Sequence, residues 1–418
     1  MQVIVLGAGV IGVTSAWYLA RLGHEVTVID RQPAPAMETS RAPGGQIFAS
    51  IGAWGGVGGP PRQPLDWLLH PARTALAMGR GMDPALLRWS LMAMKGRSAH
   101  AHAVTLARLA RLGAYNRHCL DTLRDETGIT YDDRQSGHIQ LFRTERQMAR
   151  VQPMLRKLAD NGTAVRLLDM DEVLEHEPGL AHAAALLKGG VFLPDDQSGD
   201  ASVFTARLAR MAQASGVRFM FDTAVEGLDA ATDRIMSVRT DAGHMRADAY
   251  VVAMGSYSPL LLRPLGLRLP VYPVKGYSLT LPLTDESHAP LATVTDSANG
   301  VSITRLGGRI RVAGGVEMAG YNLRLNPRRR TVLELSFSEL FGGGDLAAAT
   351  YWSGLRPCTP DGAPVIGPAG GFGNLWLNTG HGGFGWSTAC ASGQLIADLI
   401  AGRKPDIPAL DLPLSRYA

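Results

Sequence analysis

The chain is 418 residues long, 46% hydrophobic and 19% charged, which is length for two globular cores and the wrong composition for a disordered or fibrous polymer. Its net charge of +4, with aromatics at 6%, offers neither the basic stripe nor the stacking platform of a nucleic-acid-binding protein. Cys119, Cys358 and Cys390 are too scattered for a disulfide framework or a metal site, and no run reaches the about 18 apolar residues of a membrane span. A reducing, cytoplasmic setting is expected, with no leader peptide ahead of a first strand that begins at Gln2.

Val3-Ile4-Val5-Leu6 predicts a short buried strand, and Gly7-Ala8-Gly9-Val10-Ile11-Gly12 follows at once. An Ala-rich apolar helix is expected to about Leu22, then a second strand over Glu25-Val26-Thr27-Val28-Ile29 that ends at Asp30. This is a complete βαβ dinucleotide-binding unit. Gly7 permits the tight turn, Gly9 lets the backbone approach a pyrophosphate, and Gly12 lets the helix pack close to the strand. The helix N-terminus turns N–H groups and a partial positive charge toward the phosphates. Asp30, roughly 20 residues beyond the glycines, stands where an acid bonds a ribose hydroxyl. Arg31 and a polar, glycine-bearing loop from Glu38 to Gln46 follow, suited to a long ligand lying along the crevice.

Residues 51–100 combine a turn-rich run from Gly52 to Pro61 with two short apolar helices around Trp67-Leu68-Leu69 and Leu86 to Met92. They read as a lid, a packing module or an interfacial patch. Val104, Leu106, Leu109, Leu112, Leu120 and Leu123 mark an amphipathic helix. His138 to Phe142 alternates as a strand, residues 144–160 read as a helix stopped by Asn161-Gly162, and Asp169 with Glu172 predicts a capping box. A helix over Ser202 to Ser215 leads to a strand at Val217 to Phe221 and a hairpin-like pair at Ile235 to Thr240 and His244 to Arg246. The apolar strand at Tyr250 to Ala253 ends in a small turn at Gly255, which returns the chain to the cofactor crevice, with Val225 as a backbone contact to the adenine end. Strands are expected at Val271 to Pro282, Val301 to Arg305 and Arg309 to Val316, forming an antiparallel sheet. Arg328-Arg329-Arg330 reads as the solvated start of a helix over 327–341. A strand at Asn374 to Asn378 and a helix from about Gly385 to Ile400 close the chain.

Two C-terminal segments carry the second signal. Gly354-Leu355-Arg356-Pro357-Cys358-Thr359-Pro360-Asp361-Gly362-Ala363-Pro364-Val365-Ile366-Gly367 precedes the last strand, and Asn378-Thr379-Gly380-His381-Gly382-Gly383-Phe384-Gly385-Trp386 follows it. With Gly23 to Arg31, Tyr272 to Thr280, Ile303-Thr304-Arg305 and Trp352-Ser353-Gly354, these resemble the D-amino acid oxidase superfamily of flavoproteins, closely its bacterial dehydrogenases, over essentially the whole chain. The resemblance implies a non-covalently bound FAD, and oxidative deamination of D-amino acids to 2-oxo acids and ammonia. It favours a quinone or dye as electron acceptor, with peripheral contact to the inner face of a bacterial membrane compatible with it. By the same resemblance Thr39, Ser40, Gly45, Gln46, Gly255, Gly380, Gly382, Gly383 and Gly385 contact the cofactor, together with Arg31 and Arg356.

The chemistry asks for three things: a hydride acceptor near Cα–H, a grip on the carboxylate, and loss of an amine proton. Flavin supplies the first, and the fork of Arg356 suits the second. Tyr257 and Tyr277 are candidates for further bonds to carboxylate or amine. His381 is a candidate for flavin or substrate contact and for proton transfer; no general base is otherwise obvious. Lys275 is expected either near the flavin or on the surface. A secondary-amine oxidoreductase acting on sarcosine, proline or hydroxyproline, or an oxygen-using oxidase, is the alternative. The expected architecture is a Rossmann-like FAD-binding domain, discontinuous over 1–80, 145–265 and 345–418. An α+β substrate domain on an antiparallel sheet takes 81–144 and 266–344.

Overall fold

The computed structural model describes residues 1–49, 51, 76–78, 83–95, 98–160 and 162–417. The run from Gly52 to Pro61 and the Trp67-Leu68-Leu69 segment lie outside the described residues.

Two sheets organise the molecule. The first has six strands in the order Val365–Pro368, Leu375–Thr379, Ala249–Val252, Gln2–Leu6, Glu25–Ile29 and Arg218–Met220. Every neighbouring pair is parallel except the edge pair Val365–Pro368 with Leu375–Thr379. Both faces are covered, which is why the first strand is apolar at successive positions rather than alternating. Val3 and Val5 pack with Val13, Phe204 and Leu395 from the helices Val10–Arg21, Ala201–Ala214 and Gly385–Ile400. Ile4 and Leu6 point the other way, against Leu228 and Val238 of a three-stranded meander. The chain leaves Gln2–Leu6 toward one neighbour and returns later on the other side, so a crevice opens beyond the carboxyl ends of these strands.

The first and last helices cross unusually closely. A Cβ at Gly393 would lie 2.7 Å from the carbonyl carbon of Thr14, and Thr14 Oγ1 donates to the Ala389 carbonyl at 2.9 Å. The Asp169–Glu172 capping box is present in full.

The second sheet runs Thr350–Cys358, Tyr272–Pro282, Arg309–Met318, Val301–Leu306, Thr293–Asp296, His138–Phe142, Gly189–Leu193 and Arg166–Leu168, with Leu76–Met78 added on Arg309–Met318. It is mostly antiparallel; Thr293–Asp296 with His138–Phe142, and Leu76–Met78 with Arg309–Met318, are parallel. Leu279, Ile303 and Val312 pack one face against Phe337 and Leu340 of the helix Pro327–Leu340.

The sheet memberships redraw the expected boundaries. Arg166–Leu168, Gly189–Leu193 and Thr350–Cys358, all assigned to the nucleotide domain, pair in the second sheet. The long helix Ala99–Thr127, assigned to the substrate domain, instead buries Leu112, Leu120 and Leu123 in the nucleotide core. A leucine stripe says that a helix is buried, not against what. The arginine run is a second correction: Arg329 is only 7% exposed, so the helix start is not solvated all round.

Candidate active site

A single cavity of about 1690 Å³ runs from the glycine loop of the first sheet to the Arg356 region of the second. At its nucleotide end the three glycines have separable tasks. Gly7 has φ +106°, and a Cβ there would lie 2.7 Å from the Ala253 carbonyl oxygen. A Cβ at Gly12 would sit 1.8 Å from the Gly7 carbonyl oxygen. At Gly9 a Cβ would meet only Ser40 Oγ, at 3.3 Å. Gly7 and Gly12 therefore hold strand, turn and helix together, whereas Gly9 keeps the loop thin on its cavity side. Ser40 Oγ accepts from the Val10 N–H at 3.0 Å, fixing the loop to the helix start. That helix has no acidic residue in its first turn, which suits a phosphate at its positive end.

Asp30 accepts the Ala8 N–H at 2.6 Å and the Gln32 N–H at 2.9 Å while facing the cavity. Burial raises its carboxyl above the usual range, and those backbone bonds offset part of the rise. Arg31 reaches Glu38 and lies 4.1 Å over the Tyr257 ring. The Tyr321 ring lies 5.5 Å from that of Tyr257. Tyr257 thus lines the cavity with its ring stacked against Arg31. Val10, Ile11, Val225, Gly255, Gly45 and Gln46 line the cavity. Ala8, Gly12 and Gly380 do not. The Ala8 N–H is taken by Asp30, Gly12 faces Gly7, and a Cβ at Gly380 would strike Thr359 Cγ2 at 2.8 Å. These three shape the walls. Thr39 pins the loop to the second sheet, donating to the Leu355 carbonyl at 2.8 Å.

At the far end Arg356 is half-buried and reachable through the cavity. One guanidinium nitrogen donates to the Gly315 carbonyl at 2.9 Å. Gly276 makes room for it: a Cβ there would lie 2.5 Å from Arg356 Cζ. Among the described residues no carboxylate pairs with Arg356, and burial pulls its pKa below the ordinary guanidinium value. The Trp352 indole folds along the same strand, where a Cβ at Gly354 would touch it at 2.0 Å. Gly382, Gly383 and Gly385 line the cavity beside Arg356, and a Cβ at Gly383 would be 4.0 Å from its Cδ.

Two expected site side chains are otherwise engaged. Tyr277 lines the cavity, yet its hydroxyl donates to Glu317 Oε2 at 2.6 Å. Burial and that carboxylate raise its pKa, so the phenol stays protonated and committed. His381 is 3% exposed, with Nε2 2.9 Å from Ser392 Oγ in the last helix. Burial pushes its pKa down to about 3. His381 thus stands on the cavity wall at the glycine turn, with its imidazole held neutral and bonded to the last helix.

Lys275 and Trp89 have placements that the sequence did not reveal. Lys275, 1% exposed, is neither at the surface nor on the cavity wall; its Nζ lies 3.1 Å from Glu317 Oε1 and donates to the Arg324 carbonyl at 3.0 Å. Burial works against the Glu317 carboxylate, but bonds from Tyr277 and Lys275 outweigh it and hold the pKa below the usual value. Trp89 lines the cavity and donates its indole N–H to the Cys358 carbonyl at 2.8 Å. Its apolar helical setting was visible in sequence; its direction was not. No helix among the described residues is long and apolar enough to cross a membrane.

Comparison with known proteins agrees with this architecture. The family model described as "FAD dependent oxidoreductase" (DAO) matches residues 2–399. A D-amino acid dehydrogenase of Granulibacter bethesdensis is 48% identical, and one of Rhizorhabdus wittichii 50% identical, each over 100% of both chains. Among solved structures, glycine oxidase from Geobacillus kaustophilus superposes with a TM-score of 0.76 at 24% identity, covering 100% of this chain and 99% of that one. L-proline dehydrogenase from P. horikoshii gives 0.77 at 20% identity, covering 100% and 97%; these two likenesses speak to the fold. With the dinucleotide cradle and the cavity that joins it to the second sheet, the full-length match places the chain in the FAD-dependent oxidoreductase (DAO) family.

Proposed function

We propose that this protein is an FAD-dependent D-amino acid dehydrogenase, converting D-amino acids to 2-oxo acids and ammonia and passing electrons to a quinone or dye-type acceptor. The observation that carries the reading is Arg356: a half-buried cation without a carboxylate partner among the described residues, opening into the cavity that the dinucleotide loop shares. Such a charge is costly until an anion meets it. Handedness follows from the similarity to full-length D-amino acid dehydrogenases.

The residues present fit the cofactor: a thin Gly9 loop, a helix start without acids, and Asp30 at the second strand's end. Gly7, Gly9, Val10, Ile11, Asp30, Ser40, Gly45, Gln46, Val225 and the turn at Gly382 to Gly385 would hold it, non-covalently. Cys358 is a poor nucleophile for a flavin link, because burial pushes its thiol up to about 11. When bound, FAD supplies the hydride acceptor. Arg356, with one of its five N–H donors on Gly315, keeps a fork for the substrate carboxylate. Gripping the carboxylate fixes how Cα is presented, and Trp352 and Trp89 wall the same end of the cavity. A cytoplasmic protein meeting its acceptor at the membrane face is consistent with this chemistry.

The test is anaerobic bleaching of the flavin band by D- and L-amino acids, sarcosine and proline, each added separately. Bleaching by D-amino acids and not their mirror images is expected. Bleaching by sarcosine or proline alone would move the assignment to secondary amines. Admitting air afterwards reports whether oxygen competes as acceptor.

A further inference from the structure

The reaction needs a destination for the amine proton, and neither His381 nor Tyr277 provides one. A different group does. Four side chains from neighbouring elements of the second sheet form a row that begins at the cavity wall. Ser302 lines the cavity. Its Oγ is 2.8 Å from Thr295 Oγ1 on the adjacent strand, directly opposite in register. Thr295 Oγ1 is 2.8 Å from His138 Nε2 on the next strand. His138 Nδ1 lies 3.6 Å from Asp196 Oδ2, an ion-pair rather than hydrogen-bond distance, in the turn after Gly189–Leu193. His138 and Asp196 are each 1% exposed. The Phe48 ring, itself on the cavity wall, sits 5.5 Å from the imidazole.

The row ends near the reacting region. Ser302 pairs with Ala313, two residues before Gly315, whose carbonyl holds Arg356. One strand spacing is about 4.8 Å and two residues along a strand about 6.7 Å. The Ser302 backbone therefore lies on the order of 8 Å from Gly315, whose carbonyl holds the carboxylate grip, and both Ser302 and Arg356 face the same cavity.

We propose that Ser302, Thr295, His138 and Asp196 form a proton relay for the amino group of the substrate. This inference rests on the function proposed above and deepens it. The substrate ammonium loses one N–H proton to Ser302 Oγ, directly or through one water. Ser302 passes its own hydroxyl proton to Thr295, and Thr295 passes its proton to His138 Nε2. No charge remains on either hydroxyl, the imidazole becomes imidazolium, and Asp196 balances it. The relay uses the tautomer protonated at Nδ1, which leaves Nε2 as the acceptor. The neutral amine then has the lone pair that the C=N bond needs, and bound FAD would supply the acceptor for the Cα hydride. After the iminium product departs, the proton returns along the row to solvent in the cavity. Ser302 is the group that meets the substrate; Thr295, His138 and Asp196 act through it and are positioning residues. Two hydroxyls alone could carry a proton but not keep it, whereas a buried imidazole beside a carboxylate can do so.

The experiment uses FAD-loaded protein mixed anaerobically with the best-bleaching D-amino acid, following flavin reduction by stopped flow. Thr295→Val removes the middle hydroxyl at nearly constant volume, Thr295→Ser restores it, and Ser302→Ala breaks the row at the cavity wall. The expected result is a drop of at least tenfold in the limiting reduction rate for Thr295→Val and Ser302→Ala. The substrate concentration at half-saturation should stay unchanged, because Arg356 is intact, and Thr295→Ser should recover most of the rate. A purely structural role would not separate Val from Ser in this way. Flavin content and Tm are measured alongside; if Thr295→Val loads poorly, Ser302→Ala decides alone. Ser302→Ala reducing at the wild-type rate overturns the relay while leaving the proposed function standing. Failure of any D-amino acid to bleach the wild type overturns that function, and the relay's substrate with it.

Discussion

Arg356 is the position where the reasoning is most exposed to test, because it predicts opposite effects on activity and stability. Its guanidinium makes one bond to the Gly315 carbonyl and has no carboxylate partner among the described residues. In the proposed complex two parallel charge-assisted bonds to the substrate would be made there, each worth about 1.5–3 kcal/mol. Arg356→Met removes both, a loss of about 3 kcal/mol or more, or roughly 150-fold in kcat/KM. Arg356→Lys keeps the charge without the fork and should fall between. The resting protein, by contrast, gains little from a desolvated cation with no carboxylate partner among the described residues, so Arg356→Met should melt at or above the wild-type Tm. The assay is steady-state dye reduction with a D-amino acid, together with thermal melts of apo- and FAD-loaded protein and with flavin content. Near-normal kcat/KM in Arg356→Met would remove Arg356 from the site. A clear drop in apo-protein Tm would mean that Arg356 is a structural cation, and the argument from its missing partner would fail.

The glycine loop separates two roles: Gly12→Ala, with its Cβ 1.8 Å from Gly7 O, should cost folding, whereas Gly9→Ala should fold and load little FAD; circular dichroism and the visible flavin band read the two apart. His381, held neutral with a folded pKa of about 3 against 6.5 unfolded, contributes stability that is complete above pH 6.5 and is lost as pH falls toward 3. The loss is about 1.4 kcal/mol per unit, or about 2 kcal/mol at pH 5. His381→Gln should flatten that limb of Tm against pH, and an unchanged limb would contradict the buried neutral ring. Glu317→Leu leaves Lys275 buried without its carboxylate and should destabilise by about 3–5 kcal/mol, most of it recovered in the double variant Lys275→Met with Glu317→Leu; equal melting curves for single and double variants would refute the pairing. Acid precipitation should leave the flavin in the supernatant, since the Cys358 thiol is a weak nucleophile; flavin in the pellet would show a covalent link.

The nucleotide half of the site was legible because its information is local. Glycine spacing, a strand apolar at successive positions and an acid at the end of the second strand all lie within thirty residues, and each constrains its immediate neighbours. The same holds for the Asp169 capping box and the final helix at Gly385–Ile400. Arg356 was found through a contiguous C-terminal motif, though not its surroundings, which depend on Gly276 and Gly315 in other strands. What the tertiary structure alone decided is non-local. Arg166–Leu168 and Gly189–Leu193 joined the second sheet because their pairing partners lie elsewhere in the chain. Lys275 is buried because Glu317, forty-two residues on, stands opposite it in register. The His381 ring turns into the last helix because Ser392 receives it. The row from Ser302 to Asp196 crosses three strands and a turn, and no window of sequence contains it. Periodicity states that a side chain faces inward; only packing decides which charge, hydroxyl or ring it meets there.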